Sequence, residues 1–195
     1  MDAHRAHSMA LIVRLRGLGL YAAVMGLEGF ESRGVDETLA AIRAASASKC
    51  VQAFDADFIA GPEHLICAAT NALKGFKAKP ISRAIETELL LYASGQRQID
   101  SAIRMVGLKP DSKNLAILII DDDKGRLLES LGAISRALGG RENDSILSIS
   151  SQEKLERIVE AFGISREEMG GFIGGTLEAV KKAVIERSAL LAIRA

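Results

Sequence analysis

The chain has 195 residues, of which 48% are hydrophobic and 26% are charged, a composition typical of a soluble globular protein and not of a disordered chain. Its 25 basic side chains balance its 25 carboxylates, so the net charge does not point to a nucleic-acid partner. Arg14 and Arg16 interrupt the first apolar run, and no run reaches the roughly 20 residues that cross a bilayer. These features argue against a membrane partner and predict a cytoplasmic protein.

The first quarter of the chain predicts two strands and one helix. Residues 1–16 are expected to form a loose N-terminal segment. The apolar residues 20–27 predict the first strand, and residues 50–54 predict the second. Between them, residues 35–47 repeat apolar side chains with a helical period, and Asp36 is placed to cap that helix.

Three helices are predicted next. Gly61, Pro62 and Glu63 supply the cap, the first position and the first-turn carboxylate that a helix start favours. Ser82 is expected to cap a second helix, and Gly95 suits the left-handed conformation that follows a last helical turn. A third helix covers residues 99–106 and stops at a glycine.

Residues 115–120 are the strongest strand signal, because they are apolar on both faces and therefore predict a central strand that is covered on both sides. A helix over residues 127–138 follows and ends at a pair of glycines. Residues 145–150 alternate between polar and apolar side chains, which predicts a half-buried strand.

The C-terminal third is predicted to be helical. Ser150 with Glu153 and Ser165 with Glu168 each have the spacing of a capping box, and one long helix is expected from Met169 onward. The elements together predict an α/β fold that is rich in helix and has α+β character. It forms a single domain, residues 17–195, in which a small mixed sheet packs against several helices.

The cysteines and histidines give no sign of a metal or cofactor site. Cys50 and Cys67 are too few for a disulfide framework in a chain of this length, and both are expected to be small buried hydrophobes in a reducing compartment. His64 has no second histidine or cysteine at ligand spacing. The glycine-rich residues 170–176 lack the lysine of a phosphate loop. No cofactor, metal or catalytic residue is therefore predicted.

One acidic cluster leaves an enzymatic alternative open. Asp121 to Asp123 follow the predicted central strand, where carboxylates can hold a magnesium ion. Acidic residues also commonly end strands and begin helices, and no second acidic motif elsewhere in the chain matches this one. The alternative function is a small stand-alone metal-dependent α/β enzyme that uses this cluster, and a plain oligomerising scaffold is a third option.

Charge is unevenly distributed along the chain. Between Lys74 and Lys113 there are eight basic and four acidic side chains, which leaves the rest of the chain acidic. Such a local excess of positive charge suits a partner that carries phosphates.

Three segments of the sequence resemble the PRPK-binding protein family, the small accessory subunit of the KEOPS complex, in its archaeal form. The matching text is FDADFIAGPEHLICAATNALKGF, then ISRAIETELLLYASGQRQIDSAIRMVGL, then AILII, and the clearest match runs from about Gln52 to Ile120. The C-terminal text SSQEKLERIVEAFGIS is a looser match, and the first sixteen residues match no known pattern.

The resemblance implies a non-catalytic subunit. KEOPS makes threonylcarbamoyladenosine in tRNA, and its threonylcarbamoyltransferase subunit carries the chemistry. The subunit that this chain resembles binds the kinase-like ATPase subunit directly and reaches the transferase only through it. It also captures tRNA through the single-stranded 3′ CCA end. The resemblance therefore predicts two partners in direct contact with this chain, a kinase-like protein and tRNA.

The predicted tRNA site is the corner between the second and third helices of the central region. Arg97 offers a planar fork of donors that suits a phosphate or a base edge, and Gln96 and Gln98 can both donate and accept. The basic residues just before the corner would line the approach. The complete predicted set is Lys74, Lys77, Lys79, Arg83, Gln96, Arg97 and Gln98.

The predicted kinase interface lies on the last helix. That helix has more apolar side chains than one buried face requires, so the surplus can pack against a partner. The residues assigned to the interface are Leu177, Val180, Val184 and Ile185.

Overall fold

A five-stranded antiparallel sheet lies at the centre of the computed structural model, which describes residues 10–170 and 175–194. The strands are β1 (Leu11–Leu15), β2 (Leu20–Glu28), β3 (Cys50–Asp55), β4 (Asn114–Asp121) and β5 (Arg141–Glu142). Four of them lie in the order β1-β2-β4-β3, and the short β5 pairs with the end of β2.

Helices cover both faces of this sheet. In the described residues they are α1 (Val35–Ala45), α2 (Pro62–Ala78), α3 (Ile85–Ser94), α4 (Ile99–Val106), α5 (Lys124–Leu138), α6 (Gln152–Phe162), α7 (Arg166–Gly170) and α8 (Thr176–Arg194), with 3₁₀ turns at Ala56–Phe58 and Asp144–Leu147. Helices α1 and α5 pack with Ile117 and Ile119 on one face. Helices α2, α3, α4, α6 and α8 pack with Leu118 and Ile120 on the other.

The predicted fold class is confirmed, but the sheet is antiparallel throughout and not mixed. The central strand was correctly predicted, because β4 lies between β2 and β3 and is buried on both faces. Strands buried on both faces are typical of parallel sheets. Here the same burial arises because helices cover both sides of an antiparallel sheet.

Two strand predictions are wrong. The segment 1–16 is not loose throughout, since Leu11–Leu15 form the edge strand β1. Leu11 and Arg14 are both exposed, which obscures the usual alternation of apolar and polar side chains in a strand. Residues 1–9 lie outside the described residues. Residues 145–150 do not form a strand. Residues 145–147 instead belong to the 3₁₀ turn Asp144–Leu147, which begins where the Asn143 side chain accepts a hydrogen bond from the Ser145 backbone N–H at 3.2 Å.

Helix ends were predicted with mixed success. Gly61 caps α2 as expected, and Ser165 and Glu168 form both hydrogen bonds of a capping box. Gly34, and not Asp36, is the N-cap of α1, and Ser151 takes the capping position expected for Ser150. The long helix expected from residue 169 is not continuous, since Gly175 is not helical and α8 begins at Thr176; residues 171–174 lie outside the described residues.

Both cysteines are free thiols, Cys50 buried and Cys67 half-buried, and burial raises the pKa of each. No helix in the described part of the chain is both long and apolar enough to cross a membrane.

His64 is a buried histidine that helps to join α2 to α3. Its Nδ1 accepts a hydrogen bond from the Ala60 backbone N–H at 3.4 Å, and its Nε2–H donates to the Ala93 carbonyl at 2.7 Å. Its ring meets Phe162 edge to face. Burial is the main reason that the pKa of His64 falls to about 4. The residue is therefore neutral in the folded protein at pH 7.

This neutral histidine predicts a loss of stability in acid. The unfolded chain binds a proton near pH 6.5, whereas the folded chain binds it only near pH 4, so the free energy of unfolding falls as the pH is lowered between these values. The expected loss from this group at about pH 4.5 is roughly 2 to 3 kcal/mol. Urea unfolding of wild type and His64→Gln at neutral and acid pH would measure it. Equal acid sensitivity in both proteins would contradict the assignment.

Candidate functional site

The corner between α3 and α4 is built by one glycine in the left-handed conformation. Gly95 has φ 66° and ψ 16°, and the Gln96 backbone N–H donates to the Leu91 carbonyl at 3.1 Å. Helix α4 starts at Ile99, so the chain reverses within four residues. The sequence prediction of the left-handed glycine is confirmed.

Gly95 is also the point where the corner rests on α8. A Cβ atom at this position would lie 3.3 Å from both the Cβ and the carbonyl oxygen of Arg187. The Arg187 guanidinium in turn donates to the Gly163 carbonyl and to the Glu168 carboxylate. The corner therefore packs directly against α8. A larger residue in place of Gly95 would need both a strained backbone and a displaced α8.

The three side chains that follow Gly95 differ in their exposure to solvent. Arg97 and Gln98 are exposed, as predicted. Gln96 is half-buried, and its amide lies 3.8 Å from the Met105 Sδ on α4. Of the three, Gln96 therefore faces α4, while Arg97 and Gln98 are open to solvent.

The basic end of α2 lies against the last turn of α3. A Cβ atom at Gly75 would overlap the Tyr92 hydroxyl, so the two helices are in close contact there. Burial is the main cause that raises the pKa of Tyr92; the Glu88 carboxylate adds to the rise and the Arg97 charge opposes it. The charge of Arg97 thus affects the pKa of Tyr92, the α3 residue whose hydroxyl contacts α2. Four further basic side chains of this region are exposed: Lys74, Lys77, Lys79 and Arg83.

A buried carboxylate shapes the loop that carries two of these cations. Glu88 is fully buried on α3, and its Oε1 accepts hydrogen bonds from the backbone N–H groups of Ile81 at 2.6 Å and Ser82 at 2.5 Å. Ser82 is consequently not the cap of α3, as the sequence suggested; Ala84 occupies that position. Sequence analysis missed this role because Glu88 lies within the helix and not at its start.

Glu88 is expected to hold this loop in the conformation that presents its basic residues. In Glu88→Ala, both backbone N–H groups lose their acceptor, and hydrogen exchange at Ile81 and Ser82 should accelerate by about tenfold or more. Glu88→Gln keeps one carbonyl oxygen and should retain most of the protection. Protection that is unchanged in Glu88→Ala would show that the loop is held by other contacts.

Helix α8 does not present all of its predicted kinase-binding residues. Val180 and Val184 are fully buried in the protein's own core, so their assignment to an interface is corrected. Leu177 is 49% exposed and Ile185 is half-buried, so these two members of the set remain accessible. Ile99 and Ile103 on α4 are also exposed apolar side chains, and sequence analysis did not predict their exposure.

The carboxylates of Asp121 to Asp123 form ion pairs and hydrogen bonds with other residues of the protein. Arg126 pairs with Asp121 and Asp122 at 2.7 Å each, and Lys49 pairs with Asp122. The Asp123 side chain caps α5. Burial alone would raise the pKa of Asp121, but hydrogen bonds from Arg126 and from two backbone N–H groups hold it below its usual range. Within residues 10–170 and 175–194, no group of three His, Cys, Asp or Glu side chains is arranged to hold a metal.

The structure is that of a small α/β protein with an exposed basic corner and with two accessible apolar side chains, Leu177 and Ile185, on α8. The sequence model of a family described as kinase binding protein CGI-121 matches residues 33–192. The chain is also 34% identical over 135 residues to the regulatory protein Cgi121 of the archaeon Methanocaldococcus jannaschii, a match that covers 69% of this chain and 82% of that relative. The chain therefore belongs to the CGI-121 family, which confirms the resemblance seen in the sequence.

Proposed function

We propose that this protein is a non-catalytic subunit of the KEOPS tRNA-modification complex, in which it binds the kinase-like ATPase subunit and recruits tRNA through the 3′ CCA end. Membership in a family described as kinase-binding supports the first role. The resemblance noted in the sequence supports the second. The transferase subunit is reached through the kinase and makes no direct contact with this chain.

The observation that carries the RNA role is the exposed corner itself. Arg97 and Gln98 project from the turn after α3, and four more exposed cations lie on the end of α2 and on the loop that leads into α3. Lysine and arginine clusters of this kind track a phosphate backbone, while glutamine and arginine can bind splayed bases. The combination suits a single-stranded RNA end better than a duplex, whose bases are stacked inside.

The kinase role is carried by the accessible part of α8. Leu177 and Ile185 expose apolar surface on a helix whose buried face packs against α2 and α3. An apolar side chain at a helix surface suits contact with the folded lobe of another protein. The metal-dependent alternative has no comparable support, because the carboxylates of the Asp121 to Asp123 cluster already pair with Arg126, Lys49 and the start of α5.

The direct test uses the purified wild-type protein. Gel-shift titrations would compare intact tRNA with the same tRNA lacking its CCA end, and the intact form is expected to bind at least tenfold more tightly. Co-purification with the cognate kinase-like subunit would test the second role. Equal binding of both tRNAs would contradict the CCA assignment, and failure to retain the kinase-like subunit would contradict the docking role.

A further inference from the structure

The strand β1 leaves one edge of the sheet open. It is an outer strand, and within the described residues it pairs only with β2. The short β5 pairs with β2 beyond the end of β1, so it does not cover β1. The other outer strand, β3, is buried at all six of its residues, whereas Leu15 is the one buried residue of β1. The outward backbone N–H and C=O groups of β1 are therefore available to pair with a further strand.

The sequence of β1 favours such pairing. Edge strands are usually protected from it by a proline, a bulge or an inward-pointing charge. Ile12 and Val13 are β-branched, the strand has no proline, and its register with β2 runs without a bulge from Leu11 to Leu15. Leu11 is also 37% exposed. An extended segment that adds to this edge would thus gain both backbone hydrogen bonds and apolar contacts.

Two arginines at the end of β1 indicate the charge of such a segment. Arg14 and Arg16 are exposed, and neither makes a hydrogen bond or ion pair with another described residue. Both line a concave surface of about 680 Å³ beside the hairpin that joins β1 to β2. One residue separates them, which is the spacing of side chains on one face of a strand. Carboxylates at alternate positions of an added strand would match this spacing.

We propose that the outer edge of β1 binds an extended acidic segment of another protein, which adds to the sheet as a further strand. The backbone of the segment pairs with β1, and its alternate carboxylates pair with Arg14 and Arg16. A second copy of this chain fits less well, because two β1 strands would bring the arginines of both copies together. RNA also fits less well, because a phosphate chain has no donor for the outward carbonyl groups of β1.

This inference is independent of the proposed function. The strand β1 lies before residue 33, where the match to the family model begins. The proposed surface uses neither the corner after α3 nor the exposed side chains of α8. Failure of the tests below would therefore leave the proposed RNA and kinase roles unchanged.

Hydrogen exchange on the purified protein tests whether the edge is open and can be filled. The probe is a blocked nine-residue peptide in which glutamate alternates with valine. The outward N–H groups of β1 should exchange rapidly in the free protein and about tenfold or more slowly with saturating peptide. If they are already protected in the free protein, another segment of this chain or a second copy covers the edge, and the proposal is overturned. Exchange that the peptide does not slow overturns it too.

Backbone methylation separates strand addition from simple charge attraction. In one peptide the valine amides are N-methylated, and in a second the glutamate amides are. Because alternate N–H groups of a strand point to opposite edges, only one of the two peptides loses the donors that face β1. That peptide should bind at least about tenfold more weakly, while the other should bind like the unmodified peptide. Equal binding of all three peptides would show that no strand is added and would overturn the proposal.

Charge reversal tests the role of the arginines. Arg14→Glu should weaken binding of the glutamate–valine peptide by about tenfold, and Arg14→Glu with Arg16→Glu should instead prefer a lysine–valine peptide. Arg43→Glu is the matched control, since Arg43 is an exposed arginine on α1, which contacts β3 at the other side of the sheet. It should bind like wild type.

One result of the charge reversal would assign the arginines to a different partner. If Arg14→Glu binds the peptide as tightly as Arg43→Glu but binds tRNA more weakly, the arginines serve RNA and the proposal is overturned. Circular dichroism would establish that each variant is folded. Should a variant not fold, the methylated peptides still decide, because they are measured on the wild-type protein.

Discussion

Leu177→Glu and Ile185→Glu are each expected to abolish co-purification with the kinase-like subunit while the protein remains folded. Both side chains are accessible on α8, so a glutamate there stays hydrated in the free protein. In a docked complex the same carboxylate would be buried against an apolar surface without a partner, which costs several kcal/mol, or at least about a hundredfold in affinity. Pull-down with the tagged kinase-like subunit would measure the loss.

The chain offers a closely matched control for this experiment. Leu128 on α5 is 49% exposed, the same fraction as Leu177, but it lies on a helix that covers the opposite face of the sheet. Leu128→Glu should therefore retain the kinase. If Leu128→Glu abolishes binding and Leu177→Glu does not, the interface lies on the α1 and α5 side of the sheet.

Val184→Glu should behave differently from its neighbour Ile185→Glu. Val184 is fully buried, and a carboxylate at that position would lose its hydration without gaining a partner. The expected cost is about 3 kcal/mol or more, a large fraction of the stability of a typical domain. The variant should be found unfolded or insoluble. Loss of kinase binding in Val184→Glu would consequently report on the fold and not on the interface.

The contrast between Val184 and Ile185 shows where sequence reasoning stops. The last helix has apolar residues on more than one face, so periodicity predicts a helix but not which side packs against the core. That choice depends on the surfaces of α2 and α3, which come from distant parts of the chain. Sequence analysis assigned four residues of α8 to the interface. Tertiary packing buries Val180 and Val184 and leaves Leu177 and Ile185 accessible.

The corner was easier to predict because its signals are local. A glycine after an apolar run indicates a left-handed helix end, and the polar residues that follow have no core to enter. Sequence analysis missed the hydrogen bonds that hold the loop before α3. Glu88 accepts them from the backbone N–H groups of Ser82 and Ile81, which lie six and seven residues earlier in the chain. Sequence analysis also missed the groove between α4 and α6, since its lining residues come from positions 58, 96–105 and 157–161.

Arg97→Ala is expected to weaken binding of intact tRNA by roughly tenfold to a hundredfold, the range for the loss of one well-formed arginine contact to a base or phosphate. The fold should be unaffected, because Arg97 is exposed and Gly95, which makes the turn, is unchanged. Lys77→Ala, an exposed cation on α2, is the comparison. Removing one phosphate contact should weaken binding of all RNAs alike and lower the dependence of affinity on salt by about one unit of slope.

The decisive measurement is the ratio of affinities for intact and CCA-trimmed tRNA. Wild type should favour intact tRNA, and Lys77→Ala should keep that preference because a phosphate contact carries no information about the end. Arg97→Ala should bind both RNAs about equally weakly, since the contact that reads the end is gone. Circular dichroism would establish that each variant is folded. If Arg97→Ala retains the wild-type preference for the intact end, the corner is a solvated turn and the RNA end is bound elsewhere on the protein.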